Sequence, residues 1–489
     1  MRYLIYPTLD HYRYDLRHGL GQTQQEILSH QTQFIQTFPP THQATILAAD
    51  TPFEIEYLEL LGNTRILKLF PERSPYAGYL YPVRLNDTYS LLIDCSTSDR
   101  TTSHHPQIFT ELQQQIQAYT TPTATTLGQT SIASAILNDP QPSAAEILDL
   151  AQQIYQTLYP QQDWQTTLTS QGRILNGYFF ELSQHHFIIP ETHHSGIRSA
   201  PNNHHILIIL YPNLALVQEA GSQLIEYWLR LWCYRNKMLW AYQQSRYLKQ
   251  ALKQKFSQII QYVAELKNQN HASLNLNELE AKLNQAGQLF AEYGIELTEL
   301  DYQTRTIEIN SHNYQQCLSD IQEKLSQFPA ESNLTPLMAF LQQPFLAQLQ
   351  KDSENLRPGL DLLQFNVNLI QADLELKRTR VETIASERDR TFQTRFAIWG
   401  TAIALGSIIT SVSAQFPTVI VPAVIVPNAE APNADLITEH PLGRVLLNLG
   451  VEEMWLAPGV SLLFTLLITL ICGSGLSLIV RLLPGPKHR

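Results

Sequence analysis

Cysteine is scarce and scattered, with four in 489 residues: Cys95, Cys233, Cys317 and Cys472. No two are close in sequence, so no CxxC pair suggests a zinc ribbon or a thioredoxin-like redox centre. Isolated reduced thiols are expected. Charge is thin as well, at 16 % of residues, against roughly 25 % in ordinary soluble domains. Positive charge is the scarcer sign. Lys+Arg is 33 and Asp+Glu is 44, a formal net charge of −11. A pI of about 5.8 argues against nucleic-acid binding through bulk electrostatics, and no such partner is expected. The N-terminus, Met1 to Pro7, lacks the apolar core of a signal peptide. Catalytic signatures are missing too: there is no GxxxxGK[ST], GxSxG, HExxH or kinase set. Gly19-Leu20-Gly21 is not a phosphate loop, and no enzyme activity is expected.

Long hydrophobic runs, by contrast, are present. Phe396–Val412 and Val460–Val480 contain no charged residue. A bilayer core of ~30 Å needs about 20 helical residues, a length the first run reaches if extended to Phe416. The expectation is a two-helix transmembrane hairpin, 396–416 and 460–480, with an external loop 417–459 and a basic tail 481–489. Lys377, Arg378, Arg380, Arg388, Arg390 and Arg395 precede the first run, and Arg481, Lys487 and Arg489 follow the second. Between them Arg444 stands alone against Glu430, Asp435, Glu439, Glu452 and Glu453. This bias places both termini in the cytoplasm, with a bacterial inner membrane and its lipid as the setting. Gly400, Ala404, Ser407 and Ser411 share one face of the first span. They form either a helix-packing stripe or a pore lining.

A heptad-like stripe precedes that span: Leu360, Leu363, Val367, Ile370, Leu374, Lys377, Val381, Ile384 and Arg388. Pro358-Gly359 marks its start. It reads as a stalk helix, 360–395, whose stripe is covered by another helix in cis or from another subunit. A second long helix is expected over 221–267, carrying Trp228, Trp232 and Trp240. The rest of 221–359 reads as helical pieces, 276–291, 313–328 and an interrupted 334–350, with a short alternating segment at 305–309.

The first 220 residues form an α+β body in two parts, 1–142 and 143–220. Strands are expected at 2–6, 65–69, 78–84, 89–94, 172–175, 178–182 and 205–211. Asn176-Gly177 is a hairpin signal. Helices are expected at 23–36, 107–119 and from Ser143, where Glu146 completes a capping box. Residues 97–142, rich in Thr, Ser, Pro and Gln, read as a boundary region.

Two groups are candidates for binding chemistry. His185, His186, His193, His194, His204 and His205 cluster in sequence and could hold a metal, or could decorate a loop. Adjacent histidines on a strand point to opposite faces, which weakens chelation by a pair. Arg2, Arg13 and Arg17 could line an anion or nucleotide pocket, or a solvated helix face.

The order of body, long helices, stalk, span, external loop, span and basic tail resembles the CorA-type cation channel family. That resemblance implies a pentameric homo-oligomer, a divalent cation, and a stalk running into a pore-lining first span. The family's Gly-Met-Asn signature is absent, since residues 411–417 read SVSAQFP. The expected function is an ion channel gated by its cytosolic body. Two alternatives remain open. One is a membrane-permeabilising effector gated by a small regulatory ligand or nucleotide messenger. The other is a membrane-anchored scaffold without a pore.

Overall fold

The computed structural model describes residues 3–19, 22–49, 55–62, 64–119, 125–139, 141–185, 187, 204–268 and 275–382. The chain divides into two units, Met1–Gln415 and Phe416–Arg489, and all described residues belong to the first.

Ten strands form one mixed sheet: β1 (Leu4–Leu16), β2 (Leu58–Glu59), β3 (Leu67–Lys68), β4 (Tyr76–Leu85), β5 (Thr88–Thr97), β6 (Ser103–His104), β7 (Gly128–Leu137), β8 (Leu168–Ile174), β9 (Gly177–Gln184) and β10 (His204–Tyr211). The order is β2-β4-β5-β1-β7-β10-β9-β8, with β3 also on β4 and β6 on β1. β7 and β10 pair in parallel, and the other ladders among the described residues are antiparallel. The sheet is continuous across residue 142, because β7 sits between β1 and β10.

One face of the sheet carries α1 (Gln24–Ile35), α2 (Pro40–Ala49), α3 (Ile108–Tyr119), α4 (Ala144–Leu158) and α5 (Trp164–Thr167). Leu9, Leu91, Ile93, Phe109, Ile154, Ile206 and Ile208 meet in its core. Capping boxes at Thr23/Glu26 and Ser143/Glu146 start α1 and α4. The other face packs under the first half of α6 (Leu214–Asn268), through Tyr12, Tyr14, Leu92, Leu207, Leu224, Trp228 and Trp232.

Beyond the sheet, α6 continues into an arm with α7 (Leu276–Ser326) and α8 (Phe345–Glu382). At 1.5 Å per residue the 55-residue α6 is about 82 Å long. Leu252, Ile259, Tyr293, Leu297, Leu356 and Leu363 form one layer of the arm; Tyr262, Leu279, Leu283, Ile370 and Leu374 form the next. The stalk stripe from Leu360 to Leu374 is thus covered in cis by α6 and α7, and its continuation through Ile384 and Arg388 lies outside the described residues. The expected break at Pro358-Gly359 lies inside α8. Gly359 lets α8 approach closely, since a Cβ there would lie 2.7 Å from both Phe256 Cδ2 and Tyr293 Oη. The segment expected to alternate at 305–309 is instead part of a continuous α7.

The α+β body and the long helices are present, but no two-helix transmembrane hairpin is found. Among the described residues no helix is long and apolar enough to cross a membrane. The physical reason is charge: α6 alone carries Arg230, Arg235, Lys237, Arg246, Lys249, Lys253, Lys255, Glu265 and Lys267. The expected spans 396–416 and 460–480, the loop 417–459, the tail 481–489 and the Gly400–Ser411 stripe lie outside the described residues. The assignments to a membrane, to two spans, to both termini in the cytoplasm and to a lipid partner are withdrawn on this finding.

Candidate functional site

Two polar groups occupy the face of the sheet on which α6 packs. The first is a hydrogen-bonded network that joins β7, β8, β9 and β10 to α6. Glu181 on β9 is 2 % exposed. It accepts from Ser170 Oγ at 2.7 Å and from His205 Nε2 at 3.1 Å. Thr130 Oγ1 lies 2.9 Å from His205 Nδ1 and accepts from Asn236 Nδ2 at 3.1 Å. Arg235 on α6 is fully buried, with Nε 3.8 Å from Glu181 and the guanidinium 4.7 Å from the Phe340 ring centre. Burial, then the Arg235 charge, lowers His205 to about 4, so the imidazole is neutral at pH 7. Burial alone would raise Glu181. The His205 and Ser170 hydrogen bonds and the Arg235 charge outweigh it, and the carboxyl lies below its usual value. The strand-borne members hydrogen-bond one another, while Arg235 Nε and Nη1 and Asn236 Oδ1 on α6 have no hydrogen-bond partner, and the group reads as a clamp between α6 and the sheet.

The second group centres on β1 and β5. Near its start β1 is broken by a bulge. Tyr6 adopts φ 49°, Pro7 lacks a backbone N–H, and the register with β7 shifts between Ile5 and Thr8. After the bulge, strand alternation puts Thr8, Asp10 and Tyr12 on the α6 side. Thr8 then lies between Ser96 and Ser134, Asp10 between Asp94 and Ile132, and Tyr12 between Leu92 and Thr130. Tyr79 of β4 stands opposite Asp94. Asp10 and Asp94 are partly exposed neighbours joined by a side-chain hydrogen bond. Burial raises Asp10 to about 6. Burial and the Asp10 charge raise Asp94 further. Tyr12 and Tyr79 feel both carboxyls, and Tyr211 feels Asp10. Thr8 is 8 % exposed, and its Oγ1 has no hydrogen-bond partner. Two carboxyls and an unfilled hydroxyl therefore share one tyrosine-lined face.

The histidines are dispersed. His204 and His205 point to opposite sheet faces, His204 lying 3.9 Å from the Tyr159 ring centre. His185 lies beside Arg235, 3.5 Å from Nη2. His186, His193 and His194 lie outside the described residues. Among the described residues no group of three or more His, Cys, Asp or Glu could hold a metal. The arginines are not gathered either. Arg13 is buried on the far face of β1 with Asp15 as its charge partner, while Arg17 donates to His18 Nδ1 at 3.1 Å. Arg2 lies outside the described residues. Cys95, Cys233 and Cys317 are buried and free. Trp228 and Trp232 stack at 5.3 Å inside the α6–sheet core.

The sequence signal for the missed site was the spacing of two that puts Thr8, Asp10, Tyr12 and Tyr14 on one face of a strand. A separate open cleft of about 470 Å³ lies between α6 and α8, lined by Lys249, Lys253, Phe256, Ser257, Asp352, Asn355 and Leu356. Asp352 there is engaged by Arg246 at 2.7 Å and Lys249 at 2.6 Å.

No family model, curated protein or solved structure matches this chain. The resemblance to the CorA-type family therefore fails, the gated pore fails with it, and the pentamer and divalent cation that it implied lose their support. Both alternatives, the permeabilising effector and the membrane-anchored scaffold, depended on the same spans and are withdrawn together with the channel.

Proposed function

We propose that this chain is a binding protein rather than a catalyst, and that it receives a small ligand on the Asp10–Asp94 face of its sheet. The observation that carries the reading is the pairing of two neighbouring carboxyls with the unpartnered Thr8 hydroxyl. Taking two opposed carboxyls out of water and leaving a buried hydroxyl unfilled both cost stability. Groups held in such an arrangement in a folded core are candidates for a ligand's partners. The absence of a nucleophile–base signature in the sequence supports binding without turnover.

Thermal shift over a panel of small cations, anions and polyols tests the reading, using the full chain and its Asp94→Asn variant. At least one ligand class is expected to raise the Tm of the parent chain and not that of the variant. If every ligand that shifts the parent shifts the variant equally, the site lies elsewhere.

A further inference from the structure

We infer that the Asp10–Asp94 face takes a primary ammonium group, as carried by a small free amine. The inference rests on the binding reading above and names its ligand class. Its ground is the count and placement of acceptors. An ammonium presents three N–H donors and no acceptor. The face offers two carboxyls and the Thr8 hydroxyl, whose Oγ1 is unfilled.

Register fixes how far apart these acceptors stand. Asp10 and Asp94 are directly opposite on paired strands, which sets their Cα atoms about 4.5–5.5 Å apart. Thr8 is two residues from Asp10 on the same face, about 6.8 Å along the strand. Side chains from such a triangle can converge on one nitrogen. A guanidinium is a planar fork suited to a single carboxylate, whereas a compact tetrahedral head suits three separate acceptors. A hard divalent cation would have to complete its six or more oxygens with water beside these three side chains.

The tyrosines add to the argument. Tyr12 and Tyr211 are 1 % and 3 % exposed, and Tyr79 stands in register with Asp94. Low polarity around the pair strengthens its attraction for a cation. It also raises both carboxyls above their usual value, which favours a proton on the pair at mildly acid pH. Binding is an exchange in which the ammonium enters, the carboxyl O–H bond breaks and the proton leaves to buffer. The face then carries two carboxylates and one ammonium, with the same net charge as before.

Isothermal titration of the full chain with butylamine and with tetramethylammonium, which has no N–H, is the test. Phosphate and HEPES buffers report the proton released. Butylamine is expected to bind about tenfold more tightly than tetramethylammonium. Its affinity is expected to rise between pH 5.5 and 7.5. Thr8→Val is expected to weaken butylamine several-fold while leaving that pH profile in place, and Asp94→Asn to flatten it. Circular dichroism checks that both variants are folded.

Equal binding of the two cations, or butylamine affinity untouched by Asp94→Asn, overturns the inference. A polyol or an anion that binds in an Asp94-dependent way, without amine binding, overturns the ammonium class and leaves the binding reading standing. No Asp94-dependent ligand of any class overturns both. Tighter binding of Nα-acetyl-lysine methylamide than of butylamine would overturn the free-amine source, by assigning the ammonium to a protein side chain.

Discussion

Two carboxyl environments on one sheet face respond to pH with opposite signs. Asp10 is raised to about 6 by burial, so the folded chain holds this proton more tightly than the unfolded chain. Its contribution to stability is complete below the unfolded value, near 4, and is lost as pH rises through about 6. The groups facing it are Asp94, Tyr12, Tyr79 and Tyr211. Asp10→Asn should therefore raise the Tm above pH 7 and flatten its fall between pH 4 and 7. A lower Tm at pH 8 would contradict this. Glu181 lies below its usual value, because the His205 and Ser170 hydrogen bonds and the Arg235 charge outweigh burial. Its stabilisation is present above the unfolded value and is lost as pH falls through the folded one. Glu181→Gln leaves the Arg235 guanidinium buried without a countercharge. It should cost about 3–5 kcal/mol in urea unfolding at pH 7. A cost below about 1 kcal/mol would show that the clamp contributes little.

Elements differed in how clearly the sequence announced them. The heptad spacing of α6 and α8, the two capping boxes and the Asn176-Gly177 turn were all legible, because each is a local pattern. The turn itself falls one residue earlier than expected: Leu175 and Asn176 take φ of 48° and 59°, and Gly177 already pairs with Ile174. β1 and β7 were not legible at their full length. Pro7 interrupts the first, and the second, Gly-Gln-Thr-Ser-Ile-Ala-Ser-Ala-Ile-Leu, resembles a linker in composition. Small residues suit β7 because α6 crosses close above it: a Cβ on Gly128 would lie 2.4 Å from Asn236 Oδ1. Half of the candidate site lay in the unread part of β1, so only the tertiary register could bring Asp10 to Asp94. In α8, Leu363 is fully buried and Phe365 is 66 % exposed. Leu363→Ala should cost about 2–5 kcal/mol. Phe365→Ser should stay within about 0.5 kcal/mol. Gly359→Ala should cost about 1–3 kcal/mol by pressing on Phe256 and Tyr293. Chemical denaturation of the three variants checks the ranking, and a reversed order for Leu363 and Phe365 would mean that α8 packs through its other face.

At the scale of the molecule, one long helix joins two structures with different chemistry. The first half of α6 closes the sheet over a polar face. The second half continues into an arm whose layers are aliphatic and aromatic. Architecture read from the order of elements pointed to a channel, yet no known family shares the fold closely enough to match. The polar face of the sheet is where the chemistry concentrates, and its defining property is a pair of opposed carboxyls that burial raises above their usual value. Carbon-13 NMR titration of the aspartate carboxyls, in the parent chain and in Asp94→Asn, measures that property directly. The account predicts two coupled steps in the parent, one near pH 6 and one higher, with the higher step lost in the variant. Two independent titrations near the ordinary aspartate value of about 4 would contradict it.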